Sequence, residues 1–139
     1  MIQKDVAAPA PTETSTPYLW VLRAAVLIHA ALVVFEFGTA GQLIAGASDI
    51  LPLHSKGAIM LHAVAGFQLV AATLFWRPGR GSVLPLMLST LAFALGFLQA
   101  YLGSHGVLDL HVVMGMTLVV LVTWVFVWSW TSSAHRTVR

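Results

Sequence analysis

Four apolar blocks, each long enough to cross a lipid bilayer, constrain this sequence more than any other feature. A bilayer core of ~30 Å requires ~20 apolar residues in a single helix. The blocks cover residues 18–44, 56–76, 82–102 and 106–130, and only 9% of the residues in the chain are charged. This pattern predicts an all-α integral membrane protein, a four-helix bundle whose helices run up, down, up and down. A soluble bundle with unusually apolar helices is the alternative.

The segments outside the apolar blocks are short and polar. Residues 1–17 are rich in proline and threonine and lack the pattern of a cleavable signal peptide, so they are predicted to be a disordered cytoplasmic tail. Residues 18–131 are predicted to form one transmembrane domain. Residues 132–139 are predicted to form a second cytoplasmic tail.

The basic residues predict the orientation of the chain. They flank the first block, occupy the segment between the second and third blocks, and end the sequence: Lys4, Arg23, Arg77, Arg80, Arg136 and Arg139. The two opposite loops contain only Lys56 and Asp49. Since cytoplasmic loops carry an excess of lysine and arginine, a multi-pass protein of the cell membrane with both termini in the cytoplasm is expected. The basic residues therefore indicate topology and no nucleic-acid partner.

Two short motifs each occur twice in the same order. LHAVAG at 61–66 matches LHVVMG at 110–115, and QLIAG at 42–46 matches QAYLG at 99–103. Each QxxxG ends an outward-going helix, and each LHxVxG begins an inward-going one. The sequence therefore predicts two helical hairpins related by a pseudo-two-fold axis along the membrane normal. The second and fourth helices then stand diagonally across the bundle.

His62 and His111 occupy matching places in this repeat. Each lies about five residues inside the outer end of its predicted block, so both are expected ~8 Å below the outer interface and facing one another. Buried ionisable residues in membrane helices are usually functional. Two imidazoles so placed are predicted to be the axial ligands of one haem b, which makes 18–131 a haem-binding domain. Gly66 and Gly115, at i+4, share the face of each histidine and leave room for the porphyrin, although close helix packing is the other explanation.

The residues LHAVAG, LQAYLG and LDLHVVMG resemble one half of haem A synthase over about 38–122. In that family the second and fourth helices of each half carry histidines that face a haem. The resemblance implies a four-helix haem-binding fold with His62 and His111 as axial ligands. The family's glutamate and His-Arg pair on the second helix, and its outer-loop cysteines, are not present. The resemblance therefore carries haem binding but not haem oxygenation, and it applies equally to small membrane b-type cytochromes.

Four further polar residues lie at or near the outer end of the predicted bundle. Glu36 is expected to hydrogen-bond a ligand imidazole, to relay a proton to a quinone, or to remain protonated. Gln99 is expected to cap the outer core or hydrogen-bond the macrocycle. His54 and His105 are predicted at the outer mouth, where they would steady haem propionates, bind an external metal or quinol, or lie at the interface without a specific role.

His29 lies deeper, near the middle of the first block. No second histidine is predicted at its depth, so a second haem is not expected there. A hydrogen bond to Ser89 or Thr90 on a neighbouring helix is the favoured interpretation, and a proton relay is the alternative.

The leading functional prediction is a membrane b-type cytochrome with one haem b in the outer half of the bundle. Ligation by two histidines leaves no open iron position, which favours electron transfer over oxygen chemistry. Its partners would be the lipid bilayer and a quinone or an outer-face redox protein, and it would act alone, as a homodimer or as a subunit of a larger complex. The alternatives are a haem A synthase-like enzyme and a non-haem metal-binding or structural subunit.

Overall fold

The computed structural model describes residues 16–132, and this part of the chain is helical without a strand. It contains four long helices: α1 (Thr16–Ile44), α2 (Leu51–Trp76), α3 (Leu84–Ser104) and α4 (Leu108–Thr131). Each is long and apolar enough to cross a membrane, which confirms the predicted all-α, membrane-spanning class. Of the two predicted tails, residues 1–15 and 133–139 lie outside the described part, and α1 begins at Thr16, inside the first of them.

The start of α2 differs from the prediction. A short 3-10 helix, Ser48–Ile50, leads directly into α2, which begins at Leu51 and not at residue 56. Pro52 lies in its first turn. A backbone N–H in the first turn has no partner within the helix, so proline loses no hydrogen bond there. The longer α2 changes which of its histidines matches His111. His54 is the fourth residue of α2, as His111 is the fourth residue of α4. His62 lies eight residues further along, ~12 Å deeper.

The helices pack as a square. α1 and α3 each pack along both α2 and α4, whereas in the described residues no Cα atom of α1 lies within 8 Å of α3 and none of α2 lies within 8 Å of α4. The second and fourth helices therefore stand diagonally across the bundle. One face of α1 is buried at intervals of three or four residues, as expected of a helix against a core: Leu19, Leu22, Val26, His29, Val33 and Glu36.

The two ends of the bundle have different chemistry. At one end, Leu22, Phe75 and Val125 belong to one buried apolar cluster, and Arg23 follows Leu22 in the chain. We call this the arginine end. At the other end the side chains of His54 and His111 lie close together, and we call it the histidine end.

Arg23 fastens α1 to α4 at the arginine end. Its Nε donates a hydrogen bond over 2.9 Å to the carbonyl oxygen of Ser129, in the last turn of α4. Carbonyls in the last turn of a helix have no partner within the helix, so this donor satisfies one of them. The guanidinium also lies 4.7 Å from the ring of Trp20 and 4.8 Å from the ring of Trp130. The residue is only 8% exposed.

Replacing Arg23 by methionine is therefore expected to lower the free energy of unfolding by about 2–4 kcal/mol, since it removes a charged hydrogen bond and two cation–π contacts. Unfolding of the purified protein in mixed micelles with increasing dodecyl sulfate measures this. Lys56→Gln, at an exposed position, is the matched control and should change stability by less than about 0.5 kcal/mol. Equal effects of the two substitutions would contradict the role assigned to Arg23.

Candidate functional site

His111, in the first turn of α4, is held by two hydrogen bonds to Gln99 of α3. Its Nδ1 lies 2.8 Å from the Gln99 carbonyl oxygen, and because a carbonyl only accepts, Nδ1 carries the proton. Nε2 is then an acceptor, and the side-chain amide of Gln99 donates to it over 3.2 Å. Gly103 provides the space for the ring, since an added Cβ there would lie 2.6 Å from His111 Cε1.

His62 has the same tautomer but a different environment. Its Nδ1 donates over 3.1 Å to the carbonyl oxygen of Ala58, one turn earlier in α2. Its Nε2 is buried and has no hydrogen-bond partner among residues 16–132. The ring lies against Gly96 of α3, where an added Cβ would be 3.0 Å from Nε2, and 4.9 Å from the Phe97 ring. A buried acceptor without a donor is unfavourable, so a ligand on this nitrogen would stabilise the site.

His54 belongs to a polar cluster between α1 and α2. Its Nδ1 lies 3.0 Å from Glu36 Oε2 and 2.8 Å from Thr39 Oγ1. The Thr39 hydroxyl donates to the Glu36 carbonyl oxygen, so it can only accept from His54. The second carboxyl oxygen of Glu36 is buried without a hydrogen-bond partner in the described residues and packs directly against Gly57. Glu36 therefore contacts His54 of α2. The sequence predicts both residues near the outer end of the bundle.

The histidine that lies beside His111 is His54. The centroids of these two rings are 6.4 Å apart, with their planes at 73°. His62 and His111 lie against two different glycines of α3, Gly96 and Gly103, seven residues apart, which corresponds to ~10 Å along the helix. The structure therefore places His62 and His111 at different levels, whereas the sequence pattern predicts the same depth. The cause is the earlier start of α2.

His29 forms a buried network across three helices. Its Nδ1 lies 2.8 Å from Gln68 Oε1, and Gln68 Nε2 donates over 2.9 Å to Ser89 Oγ. The sequence predicts Ser89 or Thr90 as a direct partner of His29. Ser89 is in fact reached through Gln68, and Thr90 bonds a carbonyl of its own helix. This network stabilises the bundle by satisfying polar groups that would otherwise be buried alone.

The remaining predicted site residues are distributed differently. Gly66 faces the ring of Phe93, and Gly115 faces the side chain of Gln99. His105 is exposed at the end of α3, where its ring stacks on Tyr101 with centroids 4.0 Å apart. It does not contact the cluster around His54 and His111 in the described part of the chain.

The cavity beside His62 is too small for a haem as it stands, although the ring hydrogen bonds of His62 and His111 suit metal ligands. Metal-ligating histidines usually donate their second ring N–H to an oxygen, as both residues do here. The cavity beside His62, lined also by His29, Phe93 and Gly96, measures about 20 Å³. That volume holds about one water, whereas ligand pockets measure ~300–1,000 Å³. A porphyrin therefore requires the Phe93 and Gln99 side chains to move away from Gly66 and Gly115.

Within residues 16–132, no three histidine, cysteine, aspartate or glutamate side chains converge on a point where they would hold a metal ion. Comparison of the chain with protein-family models, with curated proteins and with solved structures found no match.

Several residues of the site are not evident from sequence. Thr39 contacts His54 and Gly57 contacts Glu36, but neither residue belongs to a recognisable sequence motif. Gly96 and Gly103 contact the two repeated histidines, although the sequence pattern points to Gly66 and Gly115. The spacing of seven between Gly96 and Gly103 places them on one face of α3, which is the one signal in the sequence that indicates their shared role.

Proposed function

We propose that the protein is a membrane b-type cytochrome that holds one haem b between α2 and α4, with His62 and His111 as axial ligands. Haem supplies one-electron chemistry when bound, and two histidine ligands leave no open position for oxygen. The chain would exchange electrons with a quinone or an outer-face redox protein. The proposed topology is up-down-up-down, with the histidine end outside and both termini in the cytoplasm, as the positive-inside rule favours.

The observation that carries this proposal is the buried, unpartnered Nε2 of His62, which has no hydrogen bond within residues 16–132. Its Nδ1–H is already bonded to a backbone carbonyl, so the free nitrogen presents its lone pair to the interior. His111 has the same Nδ1–H contact to a backbone carbonyl, and only the Gln99 amide lies on its Nε2. Apart from His29, the residues that line the cavity beside His62 are apolar, which suits a porphyrin better than the polar cluster around His54. In this structure the two residues lie ~10 Å apart along the bundle, so ligation by both requires α2 and α4 to slide past one another and not only the rings to turn.

Haem content tests the proposal. The protein is expressed with added haem precursor, purified in neutral detergent and assayed for haem by the pyridine haemochromogen method. About one haem b per chain is expected. A content below about one tenth, in protein that is folded by its melting transition, would contradict the proposal. His105→Ala is the matched control and should retain its haem, because His105 is exposed and its ring stacks on Tyr101.

A further inference from the structure

The loop that joins α2 to α3 at the arginine end borders an open cleft of about 480 Å³. The cleft is lined by Trp76, Arg77, Pro78, Arg80 and Gly81. Its volume lies in the range of small-ligand sites, ~300–1,000 Å³. The cleft is remote from the histidine end, so binding of a ligand here does not depend on the proposed haem.

The loop is held firmly against the end of α2. The backbone N–H groups of Arg77, Gly79 and Gly81 donate to carbonyl oxygens in the last turn of α2 over 2.7, 2.9 and 2.8 Å. The buried ring of Phe75 lies so close beneath Gly81 that an added Cβ would overlap it. The backbone that carries both arginines is therefore pre-organised, which lowers the entropy lost when a ligand binds.

Arg80 adopts a backbone conformation that its residue type disfavours. Its φ is +57°, in the left-handed region where glycine or asparagine is usual. Strained backbone positions cluster at functional sites, which makes Arg80 a candidate for a functional residue.

Among residues 16–132, no acidic side chain compensates the positive charge of the cleft. Arg77 and Arg80 are exposed, and neither guanidinium forms an ion pair or hydrogen bond with a described residue. The Arg77 guanidinium lies 4.9 Å from the ring of Trp76, which leaves its N–H groups free to donate. The acidic residues of the described part, Glu36, Asp49 and Asp109, lie towards the histidine end. A ligand of this cleft is therefore expected to be an anion.

We propose that this cleft binds the phosphate group of an anionic phospholipid such as phosphatidylglycerol. Guanidinium groups donate paired N–H bonds that match phosphate oxygens. Four helices long and apolar enough to span a membrane bring lipid to the loop, and basic pockets beside such helices commonly hold lipid headgroups. Trp76 would lie at headgroup depth, where tryptophan is enriched. The same chemistry would accept free phosphate.

Native mass spectrometry of the detergent-purified protein tests this with added phosphatidylglycerol or phosphatidylcholine. Wild type should bind phosphatidylglycerol more tightly than phosphatidylcholine. The double variant Arg77→Gln, Arg80→Asn should lose about 30-fold in phosphatidylglycerol affinity, and each single variant about fivefold. Asparagine tolerates the backbone conformation of Arg80, and Arg77→Gln alone tests the proposal if the double variant does not fold. Lys56→Gln, at the opposite end of α2, removes the same charge and should retain wild-type affinity.

A competition with inorganic phosphate separates the two sources of the anion. If millimolar phosphate displaces the lipid, the cleft is a general phosphate site; if it does not, the site requires the lipid. Either result supports the assigned chemistry. Equal binding of the two lipids by wild type, or full phosphatidylglycerol affinity in the folded Arg77→Gln variant, would overturn it. So would an equal loss in Lys56→Gln, because the effect would then be one of net charge.

Discussion

Replacement of His62 or His111 by alanine is expected to remove the sharp reduced absorption band of low-spin haem b near ~560 nm. Each substitution would remove one axial ligand from a six-coordinate iron. The loss should be nearly complete in both variants, because a haem with one remaining ligand becomes high-spin or dissociates. Absorption spectra of the purified variants, oxidised and then reduced with dithionite, measure this.

His54→Ala is the decisive comparison for these variants. Its ring lies nearest to that of His111, with centroids 6.4 Å apart, so it is the rival ligand on α2. We expect His54→Ala to keep the band, since the buried ring nitrogen without a hydrogen-bond partner among residues 16–132 is Nε2 of His62. A variant pair in which His54→Ala is colourless and His62→Ala keeps its haem would show that His54 is the ligand on α2, contrary to the proposal.

Gly103→Ala is expected to lower the free energy of unfolding by about 1–3 kcal/mol, because the new methyl group overpacks the contact between α3 and α4. An added Cβ at this position would lie 2.6 and 2.7 Å from two atoms of the His111 ring. Two hydrogen bonds to Gln99, one turn earlier on α3, hold the ring, so it cannot move without losing one of them.

Gly38→Ala and Gly41→Ala are the matched controls, since nothing lies within 4 Å of an added Cβ at either position. Alanine favours a helix over glycine by up to about 1 kcal/mol, so both controls should be as stable as wild type or more so. Unfolding of all three variants in mixed micelles gives the comparison. If Gly103→Ala were stabilised as much as the controls, the close contact between His111 and α3 would be ruled out.

The class of fold can be predicted because length and composition alone decide it. Apolar blocks of bilayer length leave few alternatives, and three of the four predicted blocks start within two residues of an observed helix. The start of α2 escapes prediction because LPLHS, before Lys56, is mixed in polarity and contains a proline. Proline is favourable in the first turn of a helix, yet a hydropathy pattern counts it as an interruption.

For the site, the sequence predicts features of single helices but not the contacts between helices. Repetition identifies His62 and His111 as special, and each has the ring tautomer that a ligand histidine needs. Their levels and their neighbours depend on how the helices pack, which the i+4 spacing of Gly66 and Gly115 does not encode. For the same reason the hydrogen bond between His29 and Gln68 escapes prediction, although both residues lie in predicted blocks.

The most direct test of the proposed haem site is the reduced-minus-oxidised absorption spectrum of the wild-type protein, purified in neutral detergent after expression with sufficient haem. A low-spin b-type spectrum with a sharp band near ~560 nm is predicted. A protein that is folded, contains its four helices by circular dichroism and remains colourless under these conditions would contradict the proposal.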